Sequence, residues 1–232
     1  MISVVIPMYN EEENVEHTID KVSAVMEKTK QPYELILVND GSSDNTWKLL
    51  LAKQKKNKKV RVYIHEKNQG PGAAFRTGFA KAQGDIIITL DADLSFSQND
   101  IPRLLEAIND ADVVIGSQHM KGAGMENVPW WRVMVSKVCV AIDRRVLRVP
   151  LTSLSSFFVA YKKKAIKSID FSANGFDAQC EILTKLYRRG YTIKEIPCTL
   201  KWSADRRNRL SLKKLFKELL KRIQLWKRLN RE

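Results

Sequence analysis

Two carboxylates one residue apart, Asp91 and Asp93, follow the apolar run DIIITL at 85–90, with only the small Ala92 between them. Carboxylates this close repel unless a cation holds them. An ion that takes few carboxylate oxygens and shares phosphate oxygens with a substrate is Mg2+ or Mn2+. Held so, it bridges the diphosphate of a nucleotide and neutralises the charge that develops as the diphosphate leaves. Such a triplet is more often a solvated turn, and its place directly after a buried strand is what gives it weight. Asp40, in Asn39-Asp40-Gly41-Ser42, offers an acceptor to the N–H edge of a nucleobase or serves the backbone of its own turn. Gly70-Pro71-Gly72 opens a helix, where it either presents N–H groups to a ligand or makes a tight turn. No GxxxxGK[ST] run occurs and no GxGxxG stands in the required place, which argues against a P-loop NTPase and ordinary dinucleotide binding. His17, His65 and His119 are far apart in sequence and form no zinc pattern. Cys139, Cys180 and Cys198 are odd in number without CxxC spacing, which disfavours a disulfide framework and favours the cytosol.

The elements that must hold these residues alternate. Short apolar, β-branched runs at 2–6, 33–38, 60–64, 85–90 and 113–115 read as strands. Between them lie helical spacings: Val15, Ile19, Val22 and Met26, with Asn10 expected as cap; Trp47, Leu50 and Leu51, capped by Ser43 or Asp44; a glycine-started helix at 70–82; and Ile101, Leu104, Leu105 and Ile108. Near-continuous apolar strands alternating with helices predict an α/β fold with a parallel sheet covered on both faces. Ligands of such sheets sit beyond the carboxyl ends of the strands. Those ends carry 7–11, 39–42, 68–70, 91–93 and 116–118, a polar rim on an apolar sheet.

The second half differs. Pro129-Trp130-Trp131-Arg132 begins an amphipathic helix through Val146 and Leu147, either packed on the sheet or lying at a membrane interface, where tryptophans beside cations are favoured. SSFFVAY at 155–161 reads as a strand, a helix ends at Gly190, and 191–202 returns as a strand whose Pro197 marks an edge or bulge. From Leu210 the apolar positions keep i, i+3, i+4 spacing opposite a row of lysines, predicting a basic helix whose apolar face caps the core while its lysines face lipid.

Net charge separates the halves. The 232 residues carry +14 overall, yet residues 1–110 hold 14 Lys and Arg against 16 Asp and Glu, while 111–200 sum to +7 and 201–232 to +9. A basic half implies an anionic partner: nucleic acid, a phospholipid surface or a phosphorylated substrate. At 44% hydrophobic the chain can bury a real core, so disorder is excluded as the main reading. No stretch of spanning length lacks charges, and the immediate N-terminal strand leaves no room for a secretory signal.

Four ordered motifs, VVIPMYNEEENV, ILVNDGSSDNT, NQGPGAAFRTGFAKAQGDIIITLDADLS and ADVVIGS, resemble the nucleotide-sugar half of the family 2 inverting glycosyltransferases. Within it they look most like dolichyl-phosphate mannose synthases and related polyprenyl-phosphate sugar synthases, densely over residues 2–118. The resemblance implies a GT-A fold over 1–202, with a nucleotide-sugar half (1–118) and an acceptor half (119–202), followed by a basic loop and membrane-associating amphipathic helix at 203–232. It implies a nucleoside diphosphate sugar donor (GDP-mannose favoured, a UDP-sugar second) and Mg2+ or Mn2+. Pro7, Tyr9, Glu11 and Asp40 would contact the nucleoside. Asp91 and Asp93 would be the catalytic pair and, with Ser95, hold the metal.

The sequence departs from the family pattern at several positions. Ser95 stands where the mannose synthases usually carry Gln, and Gln118 where they carry Arg. Ser153 stands in place of an Asp, and Phe157-Phe158-Val159 in place of Gly-Phe-Arg. No QxxRW of the polymerising members occurs. A polyprenyl phosphate is already an oxyanion at neutral pH and needs no general base, unlike a sugar hydroxyl. Arg132, Arg206, Arg207 and Arg209 are candidates to hold its phosphate. The expected enzyme is thus a hexosyltransferase, peripheral on the cytoplasmic membrane face and reaching lipid by its last helix or through a membrane-protein partner, with no nucleic acid expected. Transfer to a saccharide or diphospholipid hydroxyl, and a non-catalytic basic binding module on a degenerate fold, are the alternatives.

Overall fold

The computed structural model describes residues 1–202 and 222–231. Five strands and four helices alternate first: β1 (Ile2–Met8), α1 (Val15–Lys28), β2 (Tyr33–Asn39), α2 (Thr46–Lys56), β3 (Val60–Ile64), α3 (Pro71–Lys81), β4 (Ile86–Thr89), α4 (Ile101–Ala107) and β5 (Val113–Ser117). Then come β6 (Gly124–Glu126), α5 (Trp130–Leu147), β7 (Val159–Lys162), α6 (Lys163–Lys167), α7 (Ala178–Arg188), β8 (Ile193–Pro197) and β9 (Thr199–Lys201). Residues 222–229 are helical and are called α8.

Seven strands form one sheet in the order β3-β2-β1-β4-β7-β5-β8. All neighbours are parallel except β7, which runs antiparallel between β4 and β5. The two halves of the chain therefore share one sheet, since β7 and β8 of the second half flank β5 of the first. Side-chain alternation splits the core in two. Val5, Ile36, Ile87, Val113 and Tyr161 face one layer with α3, α7 and α8. Val4, Leu35, Ile88, Val114 and Ala160 face the other with α1 and α4. Burial on both sides is why these strands read as unbroken apolar runs.

Three local expectations change. The first helix starts at Val15, not after Asn10, because Asn10 adopts a left-handed φ of 54° and its side chain accepts from the Ser43 N–H (2.8 Å). The strand read at 155–161 is confined to Val159–Lys162. The run at 191–202 divides at Cys198, so that β8 closes the edge of the main sheet and β9 leaves it to pair with β6. Pro197 is the last residue of edge strand β8, where a missing N–H is tolerated. Asp44 does serve α2, accepting from the Thr46 N–H at 3.0 Å.

Candidate active site

The rim is built from loops that tie one another down. After β1, the Asn10 N–H donates to Ser42 Oγ (3.0 Å), the Glu11 N–H to Thr46 Oγ1 (2.8 Å) and the Glu12 N–H to Asp44 Oδ2 (3.2 Å). In return Glu12 Oε2 accepts from both the backbone and side-chain N–H groups of Asn45, each at 3.0 Å. The Pro7–Glu11 loop is thereby fixed to the start of α2 with Tyr9 left 47% exposed above it. The Glu11 carboxylate accepts from Asn14 Nδ2 at 2.6 Å.

Asp40 is buried and bonded within the rim. Its Oδ1 lies 2.7 Å from His65 Nδ1 and accepts from the Gln69 N–H at 3.0 Å. Its Oδ2 accepts from the Gly70 N–H at 2.7 Å. His65 is anchored in turn on Thr77 Oγ1 at 2.9 Å. Asp40 thereby holds the loop after β3, and since a carboxylate has about four lone-pair sites, one remains for a ligand. Gly41, at φ +69°, permits this approach, because a Cβ there would strike the Lys67 backbone. The N–H groups of Gly70-Pro71-Gly72 are likewise used internally. Gly70 donates to Asp40, and the Gly72 N–H donates to the Asn174 carbonyl at 2.8 Å, on a face where a Cβ would strike the Ala173 oxygen. The glycines serve close packing of α3 on the 173–178 segment, not anion binding.

The Asp91–Asp93 turn is held from three sides. The Leu90 N–H still donates to the Val5 carbonyl (3.2 Å), so the pair emerges beside the Pro7 end of β1. Ala92 is buried and its carbonyl accepts from the Thr18 hydroxyl of α1, while Asp91 and Asp93 are half-buried. The Leu94 N–H closes on the Asp91 carbonyl at 3.2 Å, and Leu94 itself sits at φ +51°. A leucine in that region costs about 1–2 kcal/mol, so the surroundings must impose it. The Ser95 N–H donates to Asp93 Oδ1 at 2.9 Å. Ser95 is buried, and its carbonyl accepts from the Lys201 N–H at 2.8 Å. Among the described residues no group of three or more His, Cys, Asp or Glu is arranged to hold a metal ion. Two carboxylates and a hydroxyl are a donor set that fits Mg2+ or Mn2+ if substrate phosphates complete the shell.

Acceptor-side residues are joined to this turn through β9. Phe96 bridges Leu200, and Trp202, one residue past β9, donates its N–H to the Glu126 carbonyl at 3.0 Å. The Arg132 guanidinium lies between two indoles, 5.0 Å from the Trp131 ring and 4.9 Å from the Trp202 ring. Its buried Nε has no hydrogen-bond partner among the described residues. Arg206, Arg207 and Arg209 lie outside the described residues, as does most of the basic segment 203–232. Two departures from the family pattern touch each other: Ser153, fully buried, donates its hydroxyl to Gln118 Oε1 at 3.4 Å. Ser153 in turn rests on Glu195, whose Oε1 accepts from Thr152 Oγ1 (2.8 Å) and the Ser153 N–H (3.0 Å), with Thr152 Oγ1 2.7 Å from Ser117 Oγ. His119 Nε2 lies 3.1 Å from Ser136 Oγ on α5, and burial, then Lys137, lowers its pKa below the ordinary 6.5.

The glycosyltransferase family 2 model matches residues 3–170. The chain belongs to glycosyltransferase family 2. It is 33% identical over 231 residues to a dolichol-phosphate mannosyltransferase of Pyrococcus furiosus, covering 97% of this chain and 64% of that protein. It is 30% identical over 205 residues to a polyprenol monophosphomannose synthase of Mycolicibacterium smegmatis (84% and 76% covered). It is 31% identical over 169 residues to an undecaprenyl-phosphate 4-deoxy-4-formamido-L-arabinose transferase of Serratia proteamaculans (72% and 51%). The chain thus spans about two thirds of the first of these relatives and about half of the last. In fold it matches the glucosyl-3-phosphoglycerate synthase of Mycobacterium tuberculosis crystallised with UDP, at a TM-score of 0.72 and 22% identity over 99% of this chain and 79% of that one. The same enzyme was crystallised with Mn2+ and UDP-glucose (TM-score 0.69, 23% identity, 93% and 74% covered). The fold is GT-A, and the parallel sheet and rim expected from sequence are those of a family 2 domain.

Sequence reasoning missed Thr18 and Glu195. Each is a lone polar residue on an element whose sequence neighbours do other things; only the Ser/Asn/Asp density of 39–46 hinted at loops bonded to one another.

Proposed function

We propose that this chain is an inverting hexosyltransferase that moves a sugar, mannose by preference, from a nucleoside diphosphate to a polyprenyl phosphate at the cytoplasmic face of a membrane. The observation that carries the reading is the Asp91–Asp93 turn, its backbone fixed by Thr18, Leu94 and Ser95 at the rim of a family 2 fold. Relatives named for mannose and for formamido-arabinose share a polyprenyl-phosphate acceptor, so the acceptor class has broader support than the sugar.

The chain's residues divide the work. Pro7 near the end of β1, Tyr9 and Glu11 on the loop pinned to α2, and Asp40 through its remaining lone pair hold the nucleoside, while Asp40 also keeps the neighbouring 69–70 backbone in place. Asp91 and Asp93, with Ser95, would hold a divalent ion, which when bound would supply positive charge at the departing diphosphate. Arg132, stacked between Trp131 and Trp202, orients the lipid phosphate by charge-assisted hydrogen bonds, with Arg206, Arg207 and Arg209 as further candidates. A phosphate oxygen attacks the anomeric carbon, the bond from that carbon to the diphosphate breaks, and configuration inverts. The attacking phosphate is already ionised, so no general base is required.

The lipid is met by α5. Trp130 is 78% exposed, and Trp131, Met134, Val135, Val138 and Ile142 are also exposed along one stripe. Lys137, Arg144 and Arg145 on the same helix suit an anionic interface. No described helix is long and apolar enough to cross a membrane. Protein, Mn2+ and labelled GDP-mannose or UDP-glucose, incubated with a short-chain polyprenyl phosphate, should give a lipid-linked sugar of inverted configuration. No lipid-linked sugar from any common donor would sink the acceptor assignment.

A further inference from the structure

Helix α5 exposes its apolar stripe, and of its residues only Asp143 and Leu147 are buried. A fully buried carboxylate on an otherwise exposed helix is costly unless it is paired and hydrogen-bonded. Among the described residues, the donors to Asp143 come from α8. Arg222 Nε reaches Oδ1 at 2.7 Å, an Arg222 terminal nitrogen reaches Oδ2, and Trp226 Nε1 reaches Oδ1 at 3.0 Å. Helix α8 is fastened to the sheet side by other groups. Leu225 and Leu229 are in the core, Arg228 pairs with the buried Glu181 of α7 at 2.7 Å, and Arg188 of α7 donates to the Leu229 carbonyl. The C-terminal end of α5 also meets the core directly, through buried Leu147, whose carbonyl accepts from Arg188 of α7 at 3.4 Å, so α8 is a second attachment, one turn earlier at Asp143. At its far end α5 is touched by Arg132 against Trp202 and by Ser136 against His119.

We infer that Asp143 is a positioning residue for the lipid substrate: through Arg222 and Trp226 it mounts α5 on α8, so that the exposed stripe of α5 meets the lipid surface at a fixed place relative to the rim. The inference rests on the proposed transfer to polyprenyl phosphate and adds to it the residue that sets the membrane-facing helix. Asp143 touches no substrate and should leave donor use alone. In Asp143→Asn, KM for polyprenyl phosphate should rise about tenfold or more, with kcat and the donor KM within about twofold of wild type; this is the split expected when positioning of only one substrate is lost. Flotation on phosphatidylglycerol–phosphatidylcholine vesicles should fall about fivefold. Trp226→Phe keeps the ring and removes one donor, so it guards against a folding failure and should show the same split at about threefold. Asp143→Leu with Arg222→Met replaces the pair by apolar groups of similar volume and should restore both readouts. An unchanged lipid KM and unchanged flotation in Asp143→Asn or Trp226→Phe overturns the inference, and so does an equal loss for both substrates. If wild-type protein makes no glycolipid, the functional reading fails, and flotation alone judges the mount: lower flotation in the variants supports it, whereas equal flotation, or wild type that does not float, overturns it.

Discussion

The donor rim and the acceptor side are fixed by different means. On the donor rim each loop is bonded to the next: 10–12 to 42–46, Asp40 to 65 and 69–70, Ala92 to Thr18. On the acceptor side an 18-residue helix buries two residues and turns its large apolar side chains outward. A nucleotide is small, soluble and polar, and a preformed cradle spares it the entropy of ordering loops. If the acceptor is a lipid phosphate, as proposed, it stays in its membrane, and the surface that meets it would be finished by the bilayer and not by the protein core. The distribution of charge follows the same division, with the donor half at −2 and the excess beyond residue 110.

The largest effect expected on this contrast comes from the rim. Asp91→Asn and Asp93→Asn keep size and hydrogen-bonding capacity, and Asp93→Asn can still accept from the Ser95 N–H. Each should lower turnover on the order of 10³-fold, as loss of preorganised charge at a leaving group does, while thermal stability moves by less than about 0.5 kcal/mol. Vesicle flotation should be unchanged. A double variant that still turns over removes the metal role, and a loss of flotation would show that rim and lipid face are not independent.

A smaller effect tests whether the acceptor side diverged in a concerted way. Gln118 and Ser153, two positions where this chain leaves the family pattern of Arg and Asp, are in contact. A charged pair has been replaced by a neutral one, so net charge there is conserved. Ser153→Asp alone would bury a carboxylate beside Glu195 and should cost about 3–5 kcal/mol in chemical denaturation. Adding Gln118→Arg should recover at least about half of that. Additive losses in the double-mutant cycle would mean that the two positions are not coupled.

How much of this was legible in the sequence also differs between the halves. Strands β1 to β5, the rim and the Asp91–Asp93 turn follow from apolar runs alternating with helical spacing, because burial on both sheet faces leaves a periodic trace. The antiparallel insertion of β7 between β4 and β5 leaves none, since strand order is set by packing across 70 residues and not by any local pattern. Asn10 has the residue type of a helix cap but lies in a left-handed turn, and its side chain went to the neighbouring loop instead. The bonds of Asp40 to Gln69 and Gly70 were not legible, because an Asp-Gly turn fits a base or a backbone equally and these two residues are brought in only by β3. For α5 the amphipathic spacing allowed a packed or a lipid-facing helix; Trp130 and Met134 are exposed, which supports the lipid-facing reading proposed above.

The smallest effect lies away from the rim and checks that the donor half owes its rigidity to ordinary sheet chemistry as well. Glu34 in β2 is buried, yet its pKa lies below the ordinary 4.5: burial pushes it up, and bonds from Ser3 Oγ (2.6 Å), the Gln83 N–H (2.7 Å) and Arg61 together outweigh that. A carboxylate whose folded pKa is depressed adds stability that is complete above its unfolded value and is lost as pH falls through the folded one. The unfolding midpoint should therefore drop as pH is lowered below about 4.5. In Glu34→Gln, which still accepts from Ser3 or Gln83 but leaves Arg61 without its ion pair, that part of the pH slope should disappear. Donor binding at pH 7 should stay within about twofold, because no residue of the rim touches Glu34; a larger change would mean that the two ends of the sheet are coupled through β2.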